Sequence, residues 1–337
     1  MRAGENEKLP VVAITMGDPS GVGPEVVVKA LARPEVWSAC RPLVVGDAGM
    51  VTRAVMMLDL SLAPHRIGSL DEARFQHVAP DVFDCGTVDL NGLPLGQASE
   101  VAGRAAVAYV EQATGLALRG QVDAIATAPI NKAAIQAAGC PHIGHTELLA
   151  ELTGAERVTT MLATPGLRVV HVTRHLPLSQ VAAQITRAQV LETILLTDAG
   201  LRQMGVADPR VAVAALNPHG GDEGLLGREE IEEIGPAVAA AQADGVDARG
   251  PIPADSVFFR AIRGEFDVVV AMYHDQGHIP IKTHGFEQSV TVTLGLPIVR
   301  TSVDHGTAFD IAWQAVAHAD SMVEAILLAA RLARPGP

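Results

Sequence analysis

The sequence predicts an α/β fold built on a largely parallel sheet. Three observations carry that expectation. Short runs of β-branched residues alternate with longer stretches rich in Ala and Leu. Several of the short runs are apolar at every position instead of alternating, as in strands covered on both faces by helices. Aromatic residues make up only 3% of the 337-residue chain, so small aliphatic side chains must fill the core, and these suit close packing of helix on sheet.

In chain order the strand candidates are 11–15, 42–45, 124–127, 158–163, 168–173, 211–215 and 268–272, with 290–294 and 298–300 as further additions. The helix candidates are 24–32, 99–119, 178–204, 228–244 and 321–332. Pro24 suits a first helical turn, where its missing N–H has no partner to lose. Ser99 is a suitable N-cap and Gly120 a suitable stop for the second helix, although Ala102 stands where a full capping box needs Glu or Gln. No internal repeat and no Pro/Ser-rich linker divides the chain. The turn-rich stretch 81–97 is the best place for a crossing between two lobes, and interleaved lobes are as well supported as sequential domains.

Composition narrows the function. A net charge of −13 without a basic block argues against nucleic-acid and anionic-membrane partners. The scarcity of aromatics argues against a base-stacking platform. No run reaches the ~18 apolar residues of a membrane span, and residues 1–8 lack the apolar core of a signal peptide. Cys40, Cys85 and Cys140 form no metal or disulfide spacing; they read as small buried residues in a reducing compartment. A cytoplasmic location is expected. In so acidic a chain, an anionic ligand needs local cations, which makes each Lys or Arg near a motif informative.

Three histidines each follow an apolar, strand-like run: His175, His219 and His274. Ligands of open α/β sheets bind beyond the carboxyl ends of the strands, and three imidazoles delivered there can hold one cation while leaving coordination positions open. Any one of them alone is more often an ordinary loop histidine; the repeated placement, with Asn217 and Asp275 beside two of them, favours a metal. In Tyr273-His274-Asp275-Gln276-Gly277-His278, Asp275 is a partner or further ligand. His278 is an alternative ligand if the stretch is helical, but Gly277 favours a turn.

Other motifs cluster at strand ends. The loop Gly17-Asp18-Pro19-Ser20-Gly21-Val22-Gly23-Pro24-Glu25 opens a helix, yet it is neither a dinucleotide fingerprint nor a P-loop. Lys132, in Ala126-Thr127-Ala128-Pro129-Ile130-Asn131-Lys132, is either an anion contact or a solvated lysine. Gly144-His145-Thr146-Glu147 begins a helix, whose free N–H groups and partial positive charge suit phosphate; Thr146 as an N-cap is compatible with that. Arg300, at the head of a polar, Gly-containing run to Ala312, suits a bidentate oxyanion. A hydrolase triad from Ser302, Asp304 and His305 is disfavoured, because neighbours in sequence rarely reach that geometry and no nucleophile elbow is present.

Taken together, the motifs at 17–25, 144–147, 217–219, 273–277 and 300–308 resemble the 4-hydroxythreonine-4-phosphate dehydrogenase family of pyridoxal phosphate biosynthesis, over nearly the whole chain. A weaker echo reaches isocitrate and isopropylmalate dehydrogenases. The resemblance implies a two-lobed α/β/α sandwich of that type, with 1–130 plus 300–337 as one lobe. Residues 131–299 would form the other, with the metal and the dimer interface. It implies NAD bound near Asp304, His305, Gly306, Thr307 and Ala308, and a homodimer with a shared active site. His175, His219 and His274 would hold a divalent metal drawn from both subunits, zinc first, with Mg²⁺ and Co²⁺ as alternatives. His145, Thr146, Lys282, Thr291 and Arg300 would bind the phosphorylated substrate, and Lys282 or Asp255 would move the proton.

The implied reaction is NAD-dependent oxidation and β-decarboxylation of 4-phosphohydroxy-L-threonine to 3-amino-2-oxopropyl phosphate and CO₂. One departure bears on this: Thr291 stands where the family commonly has a substrate-contacting Asn. Branches acting on 4-phospho-D-threonate or erythronate, giving dihydroxyacetone phosphate, and on a diol dicarboxylate are therefore alternatives. A metal-dependent hydrolase or acyl-phosphate enzyme and a non-catalytic sugar-phosphate sensor are readings of other classes. NAD against NADP stays open at this point.

Overall fold

The computed structural model describes residues 9–89 and 92–334. The polar stretch 1–8, and residues 90 and 91 of the turn-rich stretch 81–97, lie outside the described residues. Twelve strands occur among the described residues: β1 (Val11–Thr15), β2 (Arg41–Gly46), β3 (His65–Ile67), β4 (Asp81–Asp84), β5 (Ala124–Thr127), β6 (Thr159–Thr164), β7 (Leu167–His171), β8 (Arg210–Ala214), β9 (Asp247–Ile252), β10 (Val268–Ala271), β11 (Val290–Leu294) and β12 (Arg300–Val303). The chain forms two compact units, one of Met1–Glu156 with Leu296–Arg334, the other of Arg157–Gly295. The sequence reading divides the lobes at 130/131 and 299/300; the contacts divide them at 156/157 and 295/296. Residues 131–156 stay with the first unit because its helix Glu100–Leu118 packs on helices Lys132–Ala137 and His145–Thr153. The fit is close: a Cβ on Gly103 would lie 2.0 Å from the Ala134 carbonyl oxygen.

In the first unit the strand order is β3-β4-β2-β1-β5-β12, with every neighbouring pair parallel. The central strands β1 and β5 are apolar along most of their length and buried on both faces. At their carboxyl ends Thr15, Thr127 and Ser302 stand in register on β1, β5 and β12, so three hydroxyl side chains share one row on one face. The stretch 81–97 does not cross between units. It supplies β4 and is tied back by Gly96 N–H donating to the Ser20 carbonyl at 2.9 Å.

In the second unit the order is β11-β6-β7-β10-β8-β9. β6 runs antiparallel to β11 and β7; β7, β10, β8 and β9 are mutually parallel. Leu162, Val169, Ala212 and Val269 on the strands form one buried cluster with Phe258 and Ile281 on the helices. Fully burying a Val, Leu, Ile or Phe side chain contributes roughly 1.5–3 kcal/mol.

Two predicted helices are interrupted. The 178–204 pattern is two helices, Leu178–Gln184 and Arg187–Gln203, separated by extended Ile185 and Thr186, whose hydroxyl caps the second by accepting from Gln189 N–H at 3.3 Å. The 228–244 pattern is a π turn, Glu230–Ile234, followed by the α-helix Gly235–Ala243. The expected turn at 277 is instead the helix His274–Gly285. Packing outweighs glycine's low propensity there: a Cβ at Gly277 would lie 2.3 Å from His171 Nε2. Cys40 is buried, whereas Cys85 and Cys140 are partly exposed, and all three are free thiols. No helix among the described residues is long and apolar enough to cross a membrane.

Candidate active site

In the first unit the groups that suit an anion come together around Arg300. This residue opens β12, is 3% exposed, and donates from Nη2 to Thr127 Oγ1 at 2.6 Å. Burial pulls its pKa down to about 9, against the opposing charge of Glu147. His145 opens the helix His145–Thr153, and its Nε2 is sealed from solvent with no hydrogen-bond partner. Burial first, and then the Arg300 charge, holds its pKa well below the ordinary value, so the ring is neutral at physiological pH. A guanidinium held away from water, a neutral imidazole and the first N–H groups of a helix form a set matched to a phosphate group. Thr146 is the second residue of this helix and does not cap it; Gly144 occupies the cap without a side chain. Lys132 is exposed, and the neighbouring Asn131 caps its own helix by accepting from Ala134 N–H at 3.0 Å.

The Gly-rich loop of the first unit packs against the segment 304–308. A Cβ at Gly21 would lie 2.8 Å from the Thr307 carbonyl oxygen, which accepts from Val22 N–H at 3.0 Å. Gly17 has φ +73° and sits so close to Pro129 that a Cβ would fall 2.5 Å from its oxygen. The two acids of the loop differ in environment. Glu25 is a structural clamp: its carboxylate accepts from the backbone N–H groups of Trp313 and, at 3.0 Å, Ala315. Asp18 is fully buried, and desolvation pushes its pKa up to about 6 against hydrogen bonds from Ser20 and Gly21. Its Oδ2, the Ser20 hydroxyl and the Thr15 hydroxyl have no partners. Thr307 is buried, Asp304 and Ala308 are half-buried, and His305 and Gly306 are exposed.

In the second unit His175, His219 and His274 follow β7, β8 and β10 respectively, and these are neighbouring parallel strands in the order β7-β10-β8. His175 and His274 have ring centroids 6.0 Å apart and both line a cavity of about 450 Å³ with Arg174, Tyr273 and Asp275. Helix His274–Gly285 restores His278 as a neighbour: its ring stacks on His274 at 3.6 Å and lies 4.8 Å from His171. His171 is buried, and burial, then the nearby His278, His274 and Arg174, lowers its pKa to about 3. His219 is exposed, with φ +54°. Among the described residues no group of three or more His, Cys, Asp or Glu side chains comes together to hold a metal ion, so the three histidines do not converge within one chain.

The donor chemistry nonetheless fits a divalent metal. Asp275 Oδ1 lies 2.6 Å from His274 Nδ1, and Asp222 Oδ2 lies 3.5 Å from His219 Nδ1. A carboxylate at Nδ1 leaves Nε2 as the ligand atom and raises its basicity. Of the remaining candidates in this unit, Lys282 is half-buried on the helix of His274, with Nζ 4.8 Å from the Phe286 ring centroid. Thr291 lies on β11 opposite Leu162, and Asp255 is exposed in the first turn of helix Ala254–Ile262. A further cavity of about 380 Å³, in the first unit, is lined by Arg104, Cys140, His142 and Glu151 among others and holds none of the candidates.

Residues 38–329 match the family described as pyridoxal phosphate biosynthetic protein PdxA. The chain belongs to the PdxA family. Among PdxA-family relatives it is 49% identical, over 97% of this chain and 98% of the other, to the D-threonate 4-phosphate dehydrogenase of Cupriavidus necator. It is 46% identical, over 95% of each chain, to the 4-hydroxythreonine-4-phosphate dehydrogenase of Desulforapulum autotrophicum. The crystal structure of a 4-hydroxythreonine-4-phosphate dehydrogenase from Burkholderia phymatum superposes with a TM-score of 0.88 at 49% identity, over 97% of this chain and 99% of that one. The PdxA resemblance and the α/β fold with a mostly parallel sheet are thus borne out. Sequence reasoning missed three polar residues that the PdxA fold buries: His171, Glu230 and the protonatable Asp18. Only Asp18 carried a signal, as an acid inside a Gly-rich loop.

Proposed function

We propose that this chain oxidises and decarboxylates a 4-phosphorylated hydroxy acid with NAD and a divalent metal. The observation that carries the reading is the buried Arg300 beside the neutral, partnerless Nε2 of His145, a setting that favours a phosphate over a neutral group. In this reading Arg300, His145 and Thr146 hold the phosphate in the first unit. In the second, Lys282 and Thr291 contact the substrate, and the half-buried Lys282 moves the proton in preference to the exposed Asp255. A divalent cation held by His175, His219 and His274 from two subunits of a homodimer, zinc being the first choice, would lower the pKa of the substrate hydroxyl and stabilise the enolate left by CO₂. NAD held along 304–308 would take the hydride, and the exposed His305 and Gly306 over a buried Thr307 support that placement. Three free thiols support a cytoplasmic home.

Between the substrates, Thr291 favours 4-phospho-D-threonate. It lacks the amide donor common at this position in the family, and the relative named for D-threonate 4-phosphate is 49% identical. The second reading, 4-phosphohydroxy-L-threonine, is supported by the 46% identical relative of that name. The test is NADH formation by the purified protein with each substrate, with and without chelator. Chelator-sensitive turnover of 4-phospho-D-threonate is expected. Turnover of 4-phosphohydroxy-L-threonine alone would reverse the order, and no NADH from either would remove the dehydrogenase reading.

A further inference from the structure

The loop that carries His219 is built around one buried carboxylate. From His219 to Glu223 five consecutive residues have φ between 43° and 83°, a region that side chains other than Gly occupy only when their surroundings hold them there. Glu230, 4% exposed, anchors the residues that lead into this run. Its Oε1 accepts from the backbone N–H groups of Leu216 at 2.8 Å and Asn217 at 2.7 Å, and its Oε2 accepts from Asn217 Nδ2 at 2.9 Å. The same amide donates to Glu229 at 2.7 Å. Two glycines let the loop close on this group: a Cβ at Gly221 would lie 2.8 Å from Glu230 Oε2, and one at Gly227 would lie 2.2 Å from Asn217 Nδ2. Glu230 also begins a π turn ahead of helix Gly235–Ala243, a geometry that recurs at functional sites.

We infer that Glu230 is a positioning residue for His219. Three charge-assisted bonds fix Leu216 and Asn217, and the chain passes from them through Pro218 directly to His219. Glu230 touches no metal itself; it sets where the imidazole stands. The inference rests on the reading of His219 as a metal ligand. Glu230→Gln keeps the shape, but it leaves one acceptor oxygen in place of two and turns an N–H₂ group toward donors.

The test is the Zn²⁺ affinity of the metal-stripped, full-length protein, titrated against a chromophoric chelator. Glu230→Gln should weaken binding about 10- to 100-fold, as loss of a partner behind a ligand typically does. His219→Ala should weaken it further. The double variant should bind no more weakly than His219→Ala alone, because Glu230 acts through that ring. Losses that add across the two substitutions overturn the inference, as does an unchanged affinity in Glu230→Gln beside a loss in His219→Ala. Unchanged affinity in His219→Ala overturns the metal reading and this inference with it. If Glu230→Gln does not fold, Asn217→Ala, which keeps both backbone bonds to Glu230, carries the test. A smaller loss in the same direction supports the positioning role, and none overturns it.

Discussion

Arg300 reaches across from β12 to Thr127 on the neighbouring parallel strand β5, and the 2.6 Å bond between them holds a guanidinium that is almost wholly out of water. A guanidinium so deeply buried beside the helix of His145 suits an anionic ligand, as the proposed phosphate site requires. Arg300→Lys retains charge but loses the planar fork. It should raise KM for the phosphorylated substrate by about ten- to a hundred-fold, or ~1.4–2.8 kcal/mol, with a smaller effect on kcat. Steady-state kinetics check this, and an unchanged KM would move the phosphate site elsewhere.

Asp18 should make the protein less stable as pH rises from 4 to 6. Its folded pKa, about 6, lies above the ordinary 3.8, so the native state binds more protons than the unfolded chain in this window. The stabilisation is full below 3.8 and is lost as pH passes 6. The size is on the order of 3 kcal/mol, from 1.36 kcal/mol per pH unit. Asp18→Asn keeps an acceptor for Ser20 N–H and removes the charge. Denaturant unfolding across pH 4–7 should show this loss of stability in the parent, and the variant should lack the part that Asp18 contributes.

Gly277→Ala should destabilise the second unit and disturb His274. The added methyl would meet His171 Nε2 at 2.3 Å and Val169 Cγ1 at 2.6 Å, both on β7. Overpacking of this kind costs typically 1–3 kcal/mol. The helix His274–Gly285 must shift to relieve it, so Zn²⁺ affinity should fall together with the thermal midpoint. Retention of both would mean that β7 yields easily.

Gly21→Ala tests the cofactor segment. Its Cβ would press on the Thr307 carbonyl from 2.8 Å and push 304–308 outward. KM for NAD should rise several-fold while KM for the phosphorylated substrate changes little. The reverse pattern would detach the Gly-rich loop from the dinucleotide.

Thr291→Asn tests substrate choice. Restoring the amide should raise the ratio of kcat/KM for 4-phosphohydroxy-L-threonine over 4-phospho-D-threonate, read by competition between the two. A ratio that does not move would take specificity away from β11.

Much of the sheet could be read in the sequence because its central strands are continuous apolar runs. β1 and β5 fall where the pattern places them, and β11, with its alternating Thr residues, falls where the sequence marked a further strand. Edge strands could not be read: β3 is three residues long with a charged centre, and β9 contains Gly250 and Pro251. Helix His274–Gly285 was hidden by its own Gly277, whose reason lies in its close approach to His171 and Val169 and not in local propensity. Within the site, the three histidines were visible as a repeated placement after β7, β8 and β10. The groups behind them were not. His171 and Glu230 matter through burial and partner geometry, and both depend on residues elsewhere in the chain.

The first unit is discontinuous, and this bears on how it assembles during synthesis. Its β5 has no neighbour on one side until β12 emerges, and the bond between Arg300 and Thr127 joins residues 173 positions apart. On a ribosome that closure waits until the whole second unit has been made. Arg300, the centre of the proposed phosphate site, is therefore the last part of that site to arrive. A chain cut short before β12 would carry an open strand edge, a template for unwanted pairing. Ribosome stalling between β11 and β12 should therefore leave the edge of β5 open to aggregation.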